Sequence, residues 1–324
     1  MNSFSDKGIG FTRAMALSLL SSLSFGTWFI ISMKAIEIQT PMNYFVLMLF
    51  SVLAFYSAFE YFRKRKIELP RPRTVANGIL FSFSFALFLS IVNVSNIVML
   101  SALTTLNVIV FTAINSLHHK EVVNAKVVAK LFVAAILILA AVEVIYLFNQ
   151  QTGFTALSQN DFAVAFVLIF SFGASNYLLS HNSKRTTNEE NFMLWIFVVS
   201  ATVAMIAFIA SGAGLQLSRA IIAYAVTGGL VMFISVVTTV YSYRYMKNYK
   251  GISRFIGTNV LFLVSETDVI FISGIYAVFV GAINPDVILS ILLIVCAMFI
   301  VSTIENERNR NIFGRRIRKL RKSL

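Results

Sequence analysis

Apolar segments about 20 residues long follow one another along nearly the whole chain, and they constrain its fold more than any other feature. At 1.5 Å per residue, such a segment crosses the ~30 Å hydrocarbon core of a bilayer as an α-helix. They are too long and too continuously apolar for the alternating strands of a membrane barrel. We therefore predict an all-α polytopic membrane protein with ten transmembrane helices, over residues 13–33, 42–62, 75–92, 95–117, 126–147, 161–180, 192–212, 219–243, 254–280 and 285–304.

The composition excludes several other classes of protein. Charged residues make up 13% of the 324 residues and hydrophobic residues 58%, whereas soluble proteins carry about 25% charged residues. We therefore expect neither a soluble enzyme nor a nucleic-acid-binding protein, despite the net charge of +13. The single cysteine, Cys296, excludes a disulfide framework and a cysteine metal site. We expect no metal and no cofactor.

The basic residues predict the orientation of the spans. Lys and Arg concentrate on the cytoplasmic side of membrane proteins. With ten spans and a cytoplasmic N-terminus, 25 of the 27 basic residues fall in cytoplasmic segments, leaving Lys34 and Arg219 outside. Both termini are thus predicted to be cytoplasmic. Eight basic residues lie in the tail at 307–324, where they are expected to contact anionic lipid.

Short matches suggest that the chain contains an internal repeat. Ser24-Phe25-Gly26 recurs 147 residues later as Ser171-Phe172-Gly173, and the same offset relates Phe45 to Phe192. Gly78-Ile79-Leu80 matches Gly229-Leu230-Val231 at an offset of 151. Two halves of five helices each, at 1–150 and 151–306, would cross the bilayer in opposite senses. Inverted repeats of this kind are typical of secondary transporters, whose substrate site lies near the midplane between the halves.

With these features the sequence resembles the drug/metabolite transporter superfamily, and within it the EamA-type branch. Val264-Ser265-Glu266-Thr267 in the ninth span is similar to the Leu-Leu-Glu-Pro segment of that branch, with Thr267 in place of proline. Gly281-Ala282 falls where the family usually has Gly-Glu, and Glu121 corresponds to that acid in the first half. Phe25 stands where a tryptophan is common, and the second span lacks an arginine often found near its start.

The resemblance implies a fold and a mechanism. It implies alternating access around a central cavity lined mainly by spans 1–4 and 6–9. Spans 5 and 10 would lie outside the cavity, as scaffold or as contacts of a homodimer. We expect the protein in a plasma or inner membrane.

Two acidic residues in the ninth span are the leading site candidates. Glu266 and Asp268 lie 12 and 14 positions beyond Arg254, which places them ~18–21 Å into the membrane. Burying a charged group at this depth costs free energy, so such residues are candidates for a functional role. Because they lie about 200° apart on a helix, they face different directions. Glu266 shares a polar stripe with Asn259 and Ser273, so we predict that it faces the cavity. Asp268 then needs a hydroxyl or amide partner from another helix.

Uncharged polar residues supply the remaining candidates. Thr104 and Asn107 share one face of the fourth span, the predicted repeat-mate of the ninth. Trp28 in the first span and Asn176 and Tyr177 in the sixth follow the repeated glycines. Such side chains either line a cavity or bond one helix to another within the membrane, and both alternatives stay open for these residues.

The sequence favours a secondary active transporter of a small cationic or zwitterionic metabolite, such as an amino acid, an amine or a drug-like solute. Burial of Glu266 would suit a proton carrier. No Lys or Arg lies deep in a span, which disfavours an anionic substrate, but exchange of nucleotide sugars remains an alternative. A membrane-embedded enzyme using Glu266 and Asp268, or a scaffold without transport, are alternatives from other classes; we do not expect an enzyme.

Overall fold

The described part of the chain is helical. The computed structural model describes residues 5–63, 67–92, 100, 103–118, 125–152, 158–185, 191–212, 214–247, 264, 288–297 and 299–300. Within these ranges there is no strand, and the first eight predicted spans each contain a helix. Their bounds are α1 Ser5–Ile38, α2 Pro41–Phe62, α3 Pro72–Ile91, α4 Asn107–His118, α5 Ala125–Thr152, α6 Gln159–Arg185, α7 Phe192–Ala210 and α8 Arg219–Lys247.

Six of these helices are long and apolar enough to cross a membrane. They contain the segments Thr12–Ile38, Pro41–Phe62, Pro72–Ile91, Asn160–Ser183, Phe192–Ala210 and Arg219–Tyr245. A shorter apolar helix, Ile288–Ala297, lies within the predicted tenth span. Of the predicted ninth span, 254–280, only Val264 belongs to the described residues. The architecture is that of an all-helical, multi-pass membrane protein.

Local sequence signals explain where several helices begin and end. Proline occupies the start of α2 and α3, where its missing N–H costs no hydrogen bond. At the start of α6, the Ser158 side chain accepts a bond from the Asp161 N–H at 3.1 Å, and Asp161 accepts one from the Ser158 N–H at 3.1 Å. This reciprocal pair is a capping box. After α7, Gly212 has φ +67°, a left-handed conformation that ends helices.

The packing of the helices depends on small residues at their crossings. α1 packs along α8, α2 packs on α7 and α8, and α3 packs on α6 and α7. A Cβ atom at Gly78 of α3 would lie 2.8 Å from the carbonyl oxygen of Ile196 in α7. A Cβ atom at Gly229 of α8 would lie 3.1 Å from the carbonyl oxygen of Met48 in α2. Both crossings therefore require a residue without a side chain.

One end of the bundle carries several arginines, and we call it the basic end. There the Arg63 Nη1 of α2 donates to the Tyr241 hydroxyl of α8 at 2.6 Å. Nearby, Arg73 at the start of α3 donates to the Nε2 of His181 near the end of α6 at 2.8 Å. Arg244 of α8 lies over the ring of Phe192 at the start of α7, 5.9 Å from its centroid.

Contacts at the opposite end show how the basic charge is distributed. Asn43 at the start of α2 donates to the carbonyl of Gln216 before α8, at 2.8 Å. Lys34, one of the two basic residues predicted outside, pairs with Glu37 at 3.2 Å on the surface of α1. Arg63, Arg73 and Arg244 thus lie together at one end, as the positive-inside rule predicts for residues on one side of the membrane.

The first prediction concerns this orientation. In a Cys296→Ser background, Leu215→Cys should react with a membrane-impermeant maleimide added to intact cells, and Arg71→Cys should react only after the cells are opened. Both positions are exposed at opposite ends of the bundle, so accessibility alone does not distinguish them. The reverse labelling pattern would contradict a cytoplasmic basic end.

The second prediction concerns the crossing of α3 and α7. Gly78→Ala should lower the free energy of unfolding by about 1–3 kcal/mol, because the added Cβ overpacks a tight backbone contact. Gly214→Ala is the matched control, since a Cβ there meets no atom within 4 Å. Thermal unfolding of the purified variants in detergent measures the difference. Equal stability of the two variants would show that α3 and α7 can move apart at no cost.

Candidate functional site

A cavity lies in the middle of the bundle between α1, α3, α6, α8 and the segment leading into α4. Its open volume is about 60 Å³, roughly twice the ~30 Å³ that one water occupies in the liquid. Its described lining comes from both predicted halves of the chain. Such a position, between helices of a bundle, is where small-molecule sites commonly form.

Phenylalanine rings form most of the apolar wall. Phe85 of α3 stands at the centre of this group, with its ring centroid 4.3 Å from that of Phe81, 5.1 Å from that of Phe172 and 6.0 Å from that of Phe25. The contacts with Phe25 and Phe172 are edge-to-face, an arrangement that aromatic pairs favour. The lining phenylalanines, from three helices, are Phe25, Phe29, Phe81, Phe85 and Phe172.

Hydroxyl groups occupy the contact between α1 and α8 on the cavity wall. The Ser21 Oγ donates to the Ser235 carbonyl at 3.0 Å, and the Ser235 Oγ donates to the Ser21 carbonyl at 3.2 Å. The Ser21 Oγ also contacts the Thr239 hydroxyl. These reciprocal bonds hold the two helices together while keeping polar atoms at the cavity surface.

Amide side chains lie on the other side of the cavity, where α6 meets the start of α4. Gly173 makes this contact close: a Cβ there would lie 2.7 Å from the Cβ of Val110 and 3.0 Å from the carbonyl oxygen of Asn107. Asn176 lies one turn after Gly173 and, like Thr104 and Asn107, lines the cavity. The repeated glycine therefore brings the two amides to one site.

The backbone leading into α4 is wound more tightly than an α-helix. The N–H groups of Leu106, Val108 and Ile109 bond to carbonyls three residues earlier, at 3.0 to 3.1 Å. This is the 3₁₀ pattern, which within helices often marks a functional position. Since these N–H groups already have partners, they are not available to hold an anion in the cavity.

The described lining carries no formal charge. Its polar members are neutral hydroxyls and amides: Ser21, Thr104, Asn107, Asn176, Ser235, Thr239 and Tyr243. An anion would therefore meet no Lys or Arg among the described lining residues. Glu60, which is 5% exposed, lies near the basic end of α2 and does not line the cavity.

The structure brings together three of the predicted site residues and separates two. Thr104, Asn107 and Asn176 share the cavity. Trp28 is fully buried beside it, where its Nε1 donates to the Met48 sulfur at 2.8 Å and its ring stacks on Phe25. Tyr177 packs outside the cavity lining, with its ring centroid 6.3 Å from that of Phe111 and 5.8 Å from that of His181.

The predicted site residues of the ninth span lie outside the described residues. They are Asn259, Glu266, Asp268 and Ser273.

Sequence reasoning missed the phenylalanine wall and the hydroxyl contact. Both follow a spacing of four residues, as in Ser21-Phe25-Phe29, Phe81-Phe85 and Ser235-Thr239-Tyr243, which places side chains on one helix face. The same spacing also occurs on lipid-facing surfaces, for example at the exposed Phe166 and Phe170 of α6. Spacing alone therefore does not separate a cavity wall from a surface that contacts lipid.

Comparison with known proteins identifies the fold but no function. No protein-family model matches the chain, and no curated protein matches it in sequence. The chain is similar to a solved structure described only as "Crystal structure of protein", with a TM-score of 0.60 and 14% sequence identity over 94% of this chain and 98% of that chain. In all, 17 chains of solved structures match. Nearly the whole chain therefore follows a fold known from experiment.

The third prediction tests the contact between α1 and α8. In a double-mutant cycle, Ser21→Ala and Ser235→Ala should show a coupling energy of about 0.6 kcal/mol, the typical value for a polar contact between membrane helices. Unfolding in detergent and denaturant measures each variant. Thr202→Ala is the control partner for Ser21→Ala, because Thr202 bonds to Val198 within its own helix and should show no coupling. Equal coupling in both cycles would contradict a direct contact.

Proposed function

We propose that the chain is a secondary active transporter that moves a small cationic or zwitterionic metabolite across a membrane by alternating access. The observation that carries this proposal is a central cavity lined by corresponding positions of two sequence repeats. At the offset of 147, Phe25 corresponds to Phe172 and Phe29 to Asn176. At the offset of 151, Phe81 corresponds to Met232 and Phe85 to Val236. All eight residues line the cavity.

The directions of the helices support an inverted repeat in ten spans. α2 ends at the basic end, where Arg63 lies, whereas its proposed mate α7 begins there at Phe192. α3 begins at the basic end near Arg73, whereas its proposed mate α8 ends there near Tyr241. Each half would thus be the other turned over in the membrane, as in many transporters. This layout also supports membership of the drug/metabolite transporter superfamily.

Contacts between the halves at the basic end indicate what would have to change during transport. Arg63 and Tyr241 join α2 to α8, and Arg73 and His181 join α3 to α6. A hydrogen bond of 3.0 Å between Asn77 and Ser175 also joins α3 to α6. In alternating access, release of these bonds would open the cavity toward the basic end. The contact between Asn43 and Gln216 would then keep the opposite end closed.

The proposed substrate class follows from the charges of the residues expected at the cavity. The described lining offers an anion no positive partner, and Glu266 of the ninth span would supply a carboxylate for a cationic group or a coupled proton. We therefore favour a small amine or zwitterion over an anionic metabolite.

The fourth prediction tests transport directly. Protein in proteoliposomes should catalyse counterflow of a cationic or zwitterionic solute, and Glu266→Gln should lower the flux about 10-fold or more, the loss expected for one hydrogen bond to a charged group. Glu143→Gln is the matched control, since Glu143 is an exposed acid on α5. It should leave the flux unchanged.

Other outcomes of the same experiment distinguish the alternatives. Flux restricted to anions would favour a metabolite exchanger of the same superfamily. Chemical conversion of a solute in detergent, with no second compartment, would identify an enzyme. Absence of flux for every solute class, in protein that is folded and inserted, would leave a scaffold role and would overturn the proposal.

A further inference from the structure

The α2–α3 connection, residues 61–73 at the basic end, combines positive charge with apolar side chains. It contains six basic residues and one acid, Glu68, interleaved with large apolar residues. Of the basic residues, Arg63, Arg71 and Arg73 belong to the described part of the chain, and those at 64–66 lie outside it. The two kinds of side chain call for different partners, so we consider them in turn.

Four large apolar side chains of the connection are exposed on the bundle. Tyr61 and Phe62, in the last turn of α2, are 79% and 80% exposed, and Ile67 and Leu69 are 68% and 88% exposed. In water, such side chains forgo the hydrophobic free energy of burial. At the end of a membrane helix, the interface of the bilayer supplies an apolar partner for them. We therefore expect lipid, and not bulk water, to cover this surface.

Local sequence and one hydrogen bond hold the connection against α7. Leu69 and Arg71 each precede a proline, and a residue in that position favours an extended backbone. Arg71 accordingly has φ −77° and ψ 151°. The Trp195 Nε1 of α7 donates to the Glu68 carbonyl at 2.6 Å. The exposed apolar and basic side chains are thus presented from a backbone whose position is fixed.

Arginines of the connection supply groups that bind phosphate. Arg71 and Arg73 are exposed, and the planar guanidinium matches two phosphate oxygens with a pair of N–H donors. Arg73 donates to the Nε2 of His181 at 2.8 Å, but a guanidinium carries five N–H donors, so it can bond to a second partner as well. Basic residues at a membrane surface attract anionic lipid headgroups.

We propose that the α2–α3 connection binds an anionic phospholipid, with the phosphate at Arg71 and Arg73 and the acyl chains beside Leu69 and Trp195. The exposed apolar side chains favour a lipid over a soluble anion, because only a lipid covers them. The excess of basic residues favours an anionic lipid over a zwitterionic one. This site is separate from the central cavity, and the inference does not depend on the proposed function.

The fifth prediction uses the two tryptophans of the chain. Trp195 lies at the proposed site, whereas Trp28 is fully buried, and Trp28→Phe leaves Trp195 as the only tryptophan. The full-length variant is placed in bilayers of phosphatidylglycerol and phosphatidylcholine, one of which carries bromine on its acyl chains and quenches fluorescence on contact. Brominated phosphatidylglycerol should quench Trp195 more strongly than brominated phosphatidylcholine at the same mole fraction. High salt should reduce this difference, because it screens the headgroup charge.

Matched variants test whether the connection itself selects the lipid. In the same background, Arg71→Gln should lower the binding of phosphatidylglycerol relative to phosphatidylcholine about fivefold, the equivalent of ~1 kcal/mol per basic residue. Arg219→Gln removes an exposed arginine at the start of α8, at the opposite end of the bundle, and should leave the ratio unchanged. Equal effects of the two variants would overturn the inference, as would equal quenching by the two brominated lipids.

A soluble headgroup distinguishes a lipid site from a site for a free anion. Glycerol phosphate carries the phosphate without acyl chains, and at millimolar concentration it should leave quenching by brominated phosphatidylglycerol unchanged. Loss of the quenching would identify a site for a soluble anion and overturn the lipid assignment. Because no step of this experiment requires flux, failure of the lipid site leaves the transport proposal standing, and the reverse also holds.

Discussion

The lack of water in the bilayer core is the constraint on which the rest of this structure depends. Without water, every backbone N–H and carbonyl must find a partner within its own segment, so the spans are helical. Side-chain hydroxyls obey the same requirement. Ser51 and Thr227 each donate to the carbonyl four residues earlier in their own helix. Where a hydroxyl bonds to another helix, as between Ser82 of α3 and the Ser200 carbonyl of α7 at 3.2 Å, it also fixes the position of that helix.

The surface of α3 has to provide both a close helix crossing and part of the wall of an open cavity. At Gly78, α3 approaches α7 so closely that no side chain fits, whereas Phe81 and Phe85, one and two turns later, line the cavity with large rings. Along this one helix, a missing side chain thus permits the close contact with α7, and bulky rings form part of the cavity wall. Since α3 is continuous from Pro72 to Ile91, the cavity requires no break in this helix.

The sequence predicted the helices well because helix formation in a membrane depends on local composition. The start of α7 at Phe192 and that of α8 at Arg219 agree with the predicted spans. Arg63, Arg73 and Arg244 share one end of the bundle, while the side of the membrane that this end occupies remains a prediction. The ninth span and the acids in it lie outside the described residues, so the role of Glu266 remains a prediction. The presence of ten transmembrane helices likewise remains a prediction.

The site was harder to predict because it depends on which helix faces come together. Asn176 and Tyr177 are neighbours in the sequence, yet Asn176 lines the cavity and Tyr177 packs against Phe111. Adjacent residues on a helix point about 100° apart, so the distinction required the position of α4. Trp28 illustrates the same limit. Its N–H donates to the sulfur of Met48 on α2, a partner that no pattern within α1 indicates.

The tight winding before α4 has a mechanical consequence. A 3₁₀ turn rotates about 120° and rises about 2.0 Å per residue, against about 100° and 1.5 Å in an α-helix. Each residue that changed from the 3₁₀ to the α winding would therefore rotate the segment before α4 by about 20° and shorten it by about 0.5 Å. The cavity-lining Thr104 lies in this segment, so its direction depends on how tightly the backbone before α4 is wound.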